Sequence, residues 1–318
     1  MSAPLDPDVL VAALRRRRVG PLAYSILRRL GGPPGLLASL ESDYYGAARR
    51  HAALSRQLAE LLDALRAASV PVLVLKGMAL AEPVYGNPAL RPMEDIDLLV
   101  RRHDVPRART ALEPLGYAAP YAEQDLDRRA ATVLVPSATP SARAVVDLHW
   151  ALVDAKSGPT AGRWADGVWE RARAVTLGGS AARTLSPGDA VIHACVHLAV
   201  NHGLQGLLWY CDLAMMARAW QGDLDWADLA ARVADARLTG AVYAALAGAR
   251  STVGLDVPVS VLARLRPRSG RIALLERWLL PRIATLGSIP YQDYLVPLFL
   301  LDRGRDVMSL GLRRLRGR

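Results

Sequence analysis

The apolar residues from Val70 to Leu75 follow one another almost without interruption, in the sequence VPVLVL. Such a run, rich in valine and leucine, is typical of a β-strand that is buried on both faces. Gly77 then lets the backbone turn sharply and approach a ligand closely, and Met78–Glu82 can begin a helix. Because the first N–H groups of a helix lack internal partners, the pattern predicts an anion site at this turn.

A second strand is predicted where the sequence EDIDLLV alternates polar and apolar residues. Successive side chains of a strand point to opposite faces, so Asp95 and Asp97 share one face and Ile96 faces the core. Two neighbouring carboxylates repel each other unless a cation lies between them. Their hard oxygen atoms suit Mg²⁺ or Mn²⁺, and we therefore expect one of these ions at this strand.

A third carboxylate lies in another strand-like run, ARAVVDLHW, from Ala142 to Trp150. Asp147 and His149 share one face of that run. The turn-forming residues Pro136–Ser141 separate it from a shorter apolar run, Thr132–Val135. The two runs are therefore predicted to form a β-hairpin.

Helical patterns lie on both sides of these strands. Asp6 and Pro7 fit the N-cap and the first position of a helix, and a second helix is predicted to end near Gly31. Leu36–Ala68 has apolar residues at helical spacing and leads directly into the first strand. Further on, Ser186–Asp189 fits the capping start of another helix.

Together the patterns predict an α/β (α+β) fold in which a mixed sheet is flanked by helices. We expect an N-terminal helical region at 1–69, a catalytic core at 70–155 and a helical C-terminal lobe at 156–318. With 318 residues and 52% hydrophobic content, the chain can bury a large core. It has no apolar run long enough for a transmembrane segment and no basic-then-apolar start, so we expect a cytoplasmic protein.

The net charge of +10 favours polyanionic partners, but this sign does not distinguish a nucleotide from RNA or a membrane. The clusters Arg15–Arg18 and Arg313–Arg318 lie near the two ends of the chain and are interpreted as solvated helix ends. Glycine-rich RNA signatures and aromatic-basic platforms are absent from the sequence, so long nucleic acid is not an expected partner. The excess of arginine over lysine is associated with a bacterial source.

Lysine is rare, since Lys76 and Lys156 are the two lysines among 40 basic residues. A lysine retained beside the glycine turn is expected to act as a compact charge on a phosphate group. The alternative is a strand-end lysine that reaches solvent. Arg91 is likewise either a phosphate clamp or a surface arginine.

The ordered set of a strand, a K-G turn, a helix, R-P-x-x-D-I-D-L-L-V and then D-L-H-W resembles the nucleotidyltransferase superfamily of the DNA polymerase β type. In particular, it resembles a broad bacterial group known only as nucleotidyltransferase family proteins, from about Leu36 to about Leu280. The resemblance implies a polymerase β-like core. It also implies that Gly77 holds the donor triphosphate and that Asp95, Asp97 and Asp147 bind two metal ions.

Two further features bear on this resemblance. Many members carry a serine after the glycine, where this chain has Met78, so phosphate contacts would fall to backbone N–H groups, Lys76 or Arg91. A histidine-bearing helix followed by W-x-x-D-L also matches the group. The residues concerned are expected to line the acceptor or nucleotide pocket, with core packing as the alternative; they are His197, His202 and Asp212. His149 would contact the substrate or hydrogen-bond within the sheet.

The expected reaction is transfer of a nucleoside monophosphate from a nucleoside triphosphate (NTP) to a hydroxyl or phosphate group of a small molecule or peptide. Mg²⁺ or Mn²⁺ would bind both reacting oxygens, and Asp147 would accept the proton or act only as a ligand. Two alternatives remain open. The same site could use a nucleotide-sugar in glycosyl or glycosyl-phosphate transfer, or Met78 could mark an inactive fold with a binding or regulatory role. Asp95 could also cap or close the turn after Pro92, and Asp97 or Asp147 could be a buried acid paired with arginine.

Overall fold

The computed structural model describes residues 6–118, 131–136, 143–152, 161–268 and 270–279, together with 296, 299 and 300. Most of the predicted hairpin turn (137–141), Lys156 and the C-terminal arginine cluster lie outside the described residues. The chain divides into two compact units. The first comprises Met1–Glu123, Ala131–Trp150 and Ala174–Thr184, and the second comprises Gln124–Ala130, Ala151–Arg173 and Leu185–Arg318. The first unit therefore contains both the N-terminal helices and the sheet. The predicted division into 1–69, 70–155 and 156–318 stays a prediction.

The first unit begins with three helices, α1 (Pro7–Arg16), α2 (Gly20–Leu30) and α3 (Pro34–Ala67). As predicted, the Asp6 side chain caps α1 by accepting a hydrogen bond from the N–H group of Asp8 at 2.9 Å. Gly31 ends α2 in the left-handed conformation, with φ of 69°. One face of α3 is fully buried and carries leucine at helical spacing, at Leu54, Leu58, Leu61 and Leu65.

A mixed sheet forms the centre of the first unit and confirms the predicted fold class. Its strands are β1 (Val72–Val74), β2 (Asp95–Val100), β3 (Tyr117–Ala118), β4 (Ala131–Pro136), β5 (Val145–His149), β6 (Arg173–Leu177) and β7 (Ser180–Thr184). Among the described residues the strand order is β3-β4-β5-β2-β1-β7-β6. β1 is antiparallel to β2, whereas β2 is parallel to β5. β4 and β5 pair antiparallel, as the predicted hairpin requires.

Two short helices follow the central strands. α4 (Lys76–Ala81) comes after β1 and starts two residues earlier than predicted. β1 covers the middle of the apolar run, and Leu75 forms the N-cap of α4. After β2 the chain continues into α5 (Val105–Leu112). The sequence Val70–Val100 therefore folds as the predicted strand, short helix and strand.

The hairpin of β6 and β7 was not predicted, because the sequence after residue 155 was interpreted as helical. Gly178 and Gly179 connect the two strands and have φ angles of 54° and 82°. Two positive φ angles match a two-residue hairpin turn, and a Gly-Gly pair between alternating runs is a sequence signal for it. Val74 pairs with Thr184, so this hairpin extends the sheet beside β1.

The second unit is largely helical where it is described. Its helices are α6 (Ala161–Arg171), α7 (Pro187–Val196), α8 (Leu207–Ala219), α9 (Trp226–Asp235), α10 (Thr239–Val253), α11 (Val259–Leu265) and α12 (Gly270–Leu274). Ser186 caps α7 as predicted, since its hydroxyl oxygen accepts from the Asp189 N–H group at 3.3 Å. A π-helical turn, His197–Asn201, follows α7.

Among the helices in the described ranges, none is long and apolar enough to cross a membrane.

Candidate active site

The register of two parallel strands brings the predicted carboxylates together. Asp97 of β2 lies directly opposite Asp147 of β5, and Leu99 lies opposite His149. Because side chains alternate along each strand, Asp95, Asp97, Asp147 and His149 point to the same face of the sheet. Ile96 points the other way and is fully buried, as expected.

Asp97 is the centre of this group. The oxygen atom Oδ1 of Asp97 lies 2.6 Å from Nζ of Lys76 and 3.0 Å from Nε2 of His149. Ligand atoms of Asp97, Asp147 and His149 all lie within 4.8 Å of one another, which is close enough for a shared metal ion. Asp95 lies outside this triplet but two residues along the same strand face.

The electrostatics of the carboxylates differ. Burial alone raises the pKa of Asp97, but the Lys76 charge and the hydrogen bond from His149 outweigh it, so this pKa lies well below its usual range. Burial and the neighbouring Asp97 charge instead raise the pKa of Asp147 and that of Asp95. The cluster therefore contains more negative charge than its own cations compensate.

The turn before the site differs from the prediction. Lys76, and not Gly77, carries the left-handed backbone, with φ of 41°. Gly77 is closely packed, since an added Cβ atom would lie 3.3 Å from Nη1 of Arg91 and 3.4 Å from Sδ of Met93. Whether donor phosphates bind at this turn stays a prediction.

The basic residues of the turn are not surface residues. The Lys76 side chain is 13% exposed and pairs with Asp97, so the solvent-facing alternative is wrong. Arg91 is 3% exposed, which also excludes its interpretation as a surface arginine. Met78 is 1% exposed and packs into the core. The residue that replaces the serine of many relatives therefore serves the interior of the fold.

The histidines predicted to line a pocket lie in the second unit. Nε2 of His202 is 3.0 Å from Nε2 of His197, and the His202 ring stacks on Trp209 with the centroids 4.8 Å apart. Asp212 is 2% exposed. A π-helical turn at this point of the chain is a feature that often accompanies functional sites. The pocket role of His197, His202 and Asp212 stays a prediction.

Sequence reasoning missed one residue beside the site. Arg18 is partly buried, and its charge, together with that of Lys76, opposes the rise that burial and Asp97 cause in the pKa of Asp95. Arg18 is thus partly buried, whereas Arg15, Arg16 and Arg17 are exposed as a solvated helix end would be. No sequence signal links Arg18 to Asp95, because the packing of the fold brings the Arg18 charge near that strand.

Two solved structures are similar to the chain. One is the solution structure of the antibiotic-resistance factor ANT(2'')-Ia, with 12% sequence identity and a TM-score of 0.40. The match covers 57% of this chain and 89% of the ANT(2'')-Ia chain. The other is the crystal structure of an antigenic nucleotidyltransferase-like protein from Paracoccidioides brasiliensis, with 16% sequence identity and a TM-score of 0.41. The match covers 66% of this chain and 92% of the Paracoccidioides chain. These low TM-scores carry no argument about mechanism or substrate.

A protein family matches most of the chain. A family described as "Uncharacterised nucleotidyltransferase" matches residues 3–254, which include all of the candidate site residues. Among proteins of curated function, none matches the chain. The match confirms the resemblance that the ordered motifs predicted. The chain therefore belongs to the family of uncharacterised nucleotidyltransferases.

Proposed function

We propose that this nucleotidyltransferase moves a nucleoside monophosphate from an NTP to a hydroxyl or phosphate group of a small molecule or peptide, with Mg²⁺ or Mn²⁺ as cofactor. One observation carries the proposal. Asp97 and Asp147 lie opposite each other on adjacent parallel strands, and with Asp95 they leave negative charge in excess. A divalent cation is the simplest ligand to compensate that charge.

The donor atoms fit such a cation. Asp97 already has a cation, the Lys76 ammonium group, at 2.6 Å. Carboxylate oxygens suit Mg²⁺ and Mn²⁺ alike. We propose that Asp97 and Asp147 hold the ion, that Asp95 completes the acidic set, and that His149 orients Asp97 by donating a hydrogen bond at 3.0 Å. When bound, the ion would supply charge neutralisation at the pyrophosphate leaving group and acidify the acceptor hydroxyl.

Asp147 is our candidate for the proton acceptor. It lies opposite Asp97 on the neighbouring strand, so a hydroxyl acceptor that bound the same ion would lie within reach of its carboxylate. The acceptor O–H group would give its proton to Asp147 as its oxygen bonds to the α-phosphorus. The bond from the α-phosphorus to the bridging oxygen would then break, and pyrophosphate would leave.

Positive charges beside the turn would bind the donor phosphates. Lys76 lies at the start of α4, and Nη1 of Arg91 lies next to Gly77. Both side chains are buried enough for their charges to act through a weakly screening medium. We propose that they attract the triphosphate. From the resemblance alone, we also keep His197, His202 and Asp212 as candidate pocket residues of the second unit.

Turnover with labelled NTPs tests the proposal. The purified chain is incubated with each of the four labelled NTPs, Mg²⁺ and a panel of hydroxyl and phosphate acceptors, and pyrophosphate release is measured. We expect release with at least one NTP, and its loss in Asp97→Asn. Failure to release pyrophosphate from any donor, combined with failure to bind Mg²⁺-NTP, would refute the proposal.

A second candidate is a binding or regulatory role on the same fold. It is favoured by the ion pair of Lys76 with Asp97, which partly neutralises the site without a metal, and by the buried Met78 in place of a phosphate-binding side chain. Tight binding of Mg²⁺-NTP without turnover of any acceptor would support it. If this second candidate is right, Asp97→Asn would alter NTP binding, and neither the wild type nor the variant would form a chemical product.

A further inference from the structure

A cleft in the first unit lies between the N-terminal helices and the segment that precedes β2. It has a volume of about 260 Å³, and three arginines line it, Arg15, Arg18 and Arg50. The segment Pro92–Glu94 forms another wall and leads directly into β2, which begins at Asp95. An arginine-lined cleft thus borders the segment before the acidic strand.

Two of the arginines are held in place by the protein. Nε of Arg15 is 2.9 Å from Oδ2 of Asp43. Nη2 of Arg50 donates to the backbone oxygen of Glu94 at 2.9 Å and lies 3.5 Å from the carboxylate of that residue. Each of these two arginines therefore has a carboxylate partner. Nε of Arg50 is buried and has no hydrogen-bond partner within the described part of the chain.

Arg18 is different from both. It joins α1 to α2 and has φ of 57°, a left-handed conformation that residues other than glycine and asparagine rarely adopt. In the residues that the structure covers, its guanidinium group has no ion-pair or hydrogen-bond partner, although the side chain is partly buried. Unusual backbone conformations of this kind are enriched at functional sites. Within the described part of the chain, the cleft therefore contains one guanidinium group without an ion-pair or hydrogen-bond partner.

We propose that this cleft is a subsite for a phosphate group of a substrate, bound by Arg18 with support from Arg50 and Arg15. The planar guanidinium group presents paired N–H donors that match phosphate oxygens. The subsite rests on the proposed function, because a substrate phosphate bound there is used only if the carboxylates of the following strand carry out the reaction. The phosphate belongs either to the triphosphate of the donor or to the acceptor.

A matched pair of variants tests the subsite. Arg18→Asn removes the charge and keeps a residue that tolerates the left-handed backbone, whereas Arg16→Asn makes the same change at an exposed position outside the cleft. Binding of inorganic pyrophosphate is measured by calorimetry in the presence of a metal chelator. We expect Arg18→Asn to weaken binding about tenfold, as for loss of a charge-assisted contact, and Arg16→Asn to match the wild type.

A repeat of the titration without chelator, at saturating concentrations of each of the four Mg²⁺-NTPs, identifies the source of the phosphate. If an NTP displaces pyrophosphate, the subsite serves the donor; if pyrophosphate still binds beside the bound NTP, the subsite serves the acceptor. Equal pyrophosphate affinity in both variants and the wild type, or no binding by any of them, would overturn the subsite. Binding of the four Mg²⁺-NTPs to the wild type separately tests the proposed function, since the absence of any NTP binding leaves the pyrophosphate comparison intact. Thermal unfolding of Arg18→Asn and of Arg18→Gly verifies that the fold is retained.

Discussion

Two buried carboxylates, Asp97 in the first unit and Asp189 in the second, both have pKa values below the usual range but have different surroundings. Asp189 is fully buried, and side chains of the protein occupy both of its oxygens. These donors lie 2.7 to 2.8 Å away and are Nε1 of Trp164, Nε of Arg171, Oγ of Ser186 and Nη1 of Arg232. The protein itself completes this site.

Asp97 receives less compensation and has acidic neighbours. Lys76 and His149 contact one of its oxygens, while Asp147 lies opposite on the next strand. Burial and Asp97 raise the pKa of Asp147. A buried carboxylate with a full set of protein donors is therefore structural, whereas a group with uncompensated charge indicates an external cation.

Substitution of the acidic centre is expected to give the largest effect. In Asp97→Asn the nucleotidyl transfer rate should fall about a thousandfold, because the charge that holds the cation is removed. Far-ultraviolet circular dichroism should report an intact fold. Asp63→Asn serves as the control, since the Asp63 side chain is 72% exposed and pairs with Arg66 at the surface. A variant at Asp97 that retains a tenth of the wild-type rate would contradict the account.

Substitution of Asp189 should instead affect stability. Asp189→Asn leaves the charges of Arg171 and Arg232 without their buried partner, so the free energy of unfolding should fall by about 3 kcal/mol. Urea denaturation measures this loss. In the control Asp228→Asn, which removes a 53% exposed partner of Arg232, the loss should stay below about 1 kcal/mol. Equal losses in the two variants would remove the distinction between the two sites.

His149 should have an intermediate effect on catalysis. His149→Ala removes the hydrogen bond to Asp97, and the transfer rate should fall roughly 10- to 100-fold, as for other residues that orient metal ligands. His149→Gln keeps an N–H donor and should recover part of the rate. If both variants lose the same activity, the imidazole acts by a route other than orientation of Asp97.

The pH dependence of stability should give the smallest effect. Burial raises the pKa of Asp189, but hydrogen bonds from Arg171, Ser186 and Trp164 and the charge of Arg232 lower it overall. A lowered folded-state pKa stabilises the fold above the unfolded-state value, about 3.9, and this contribution is lost as the pH falls through the folded-state pKa. The stability difference between the wild type and Asp189→Asn should therefore shrink from about pH 7 to about pH 3. A constant difference would contradict the low pKa.

The local features of the fold could be predicted from the sequence. The alternation in EDIDLLV placed Asp95 and Asp97 on one face, and the caps at Asp6 and Ser186 were correct. These features depend on neighbouring residues, whose preferences act within one strand or one helical turn. The meeting of the carboxylates was expected from the family resemblance, and it forms because strand order and register bring Asp147 opposite Asp97.

Other features depended on tertiary packing or on a weaker signal. The left-handed residue at the turn is Lys76 because its backbone must connect β1 to α4 while its side chain reaches Asp97. The position of Arg18 beside Asp95 arises from contacts between segments that are distant in sequence. The hairpin at Gly178 has a local sequence signal, the Gly-Gly pair, but the whole region was interpreted as helical and that signal was not used.

The most direct test of the central claim is a titration of the protein with Mn²⁺, followed by electron paramagnetic resonance of the free and bound ion. The account predicts one or more bound Mn²⁺ ions in the wild type and in Asp189→Asn measured under conditions where it is folded. It predicts loss of that binding in Asp97→Asn and in Asp147→Asn. Mn²⁺ binding that is absent from the wild type, or unchanged by both substitutions, would contradict the claim that these carboxylates form a metal site.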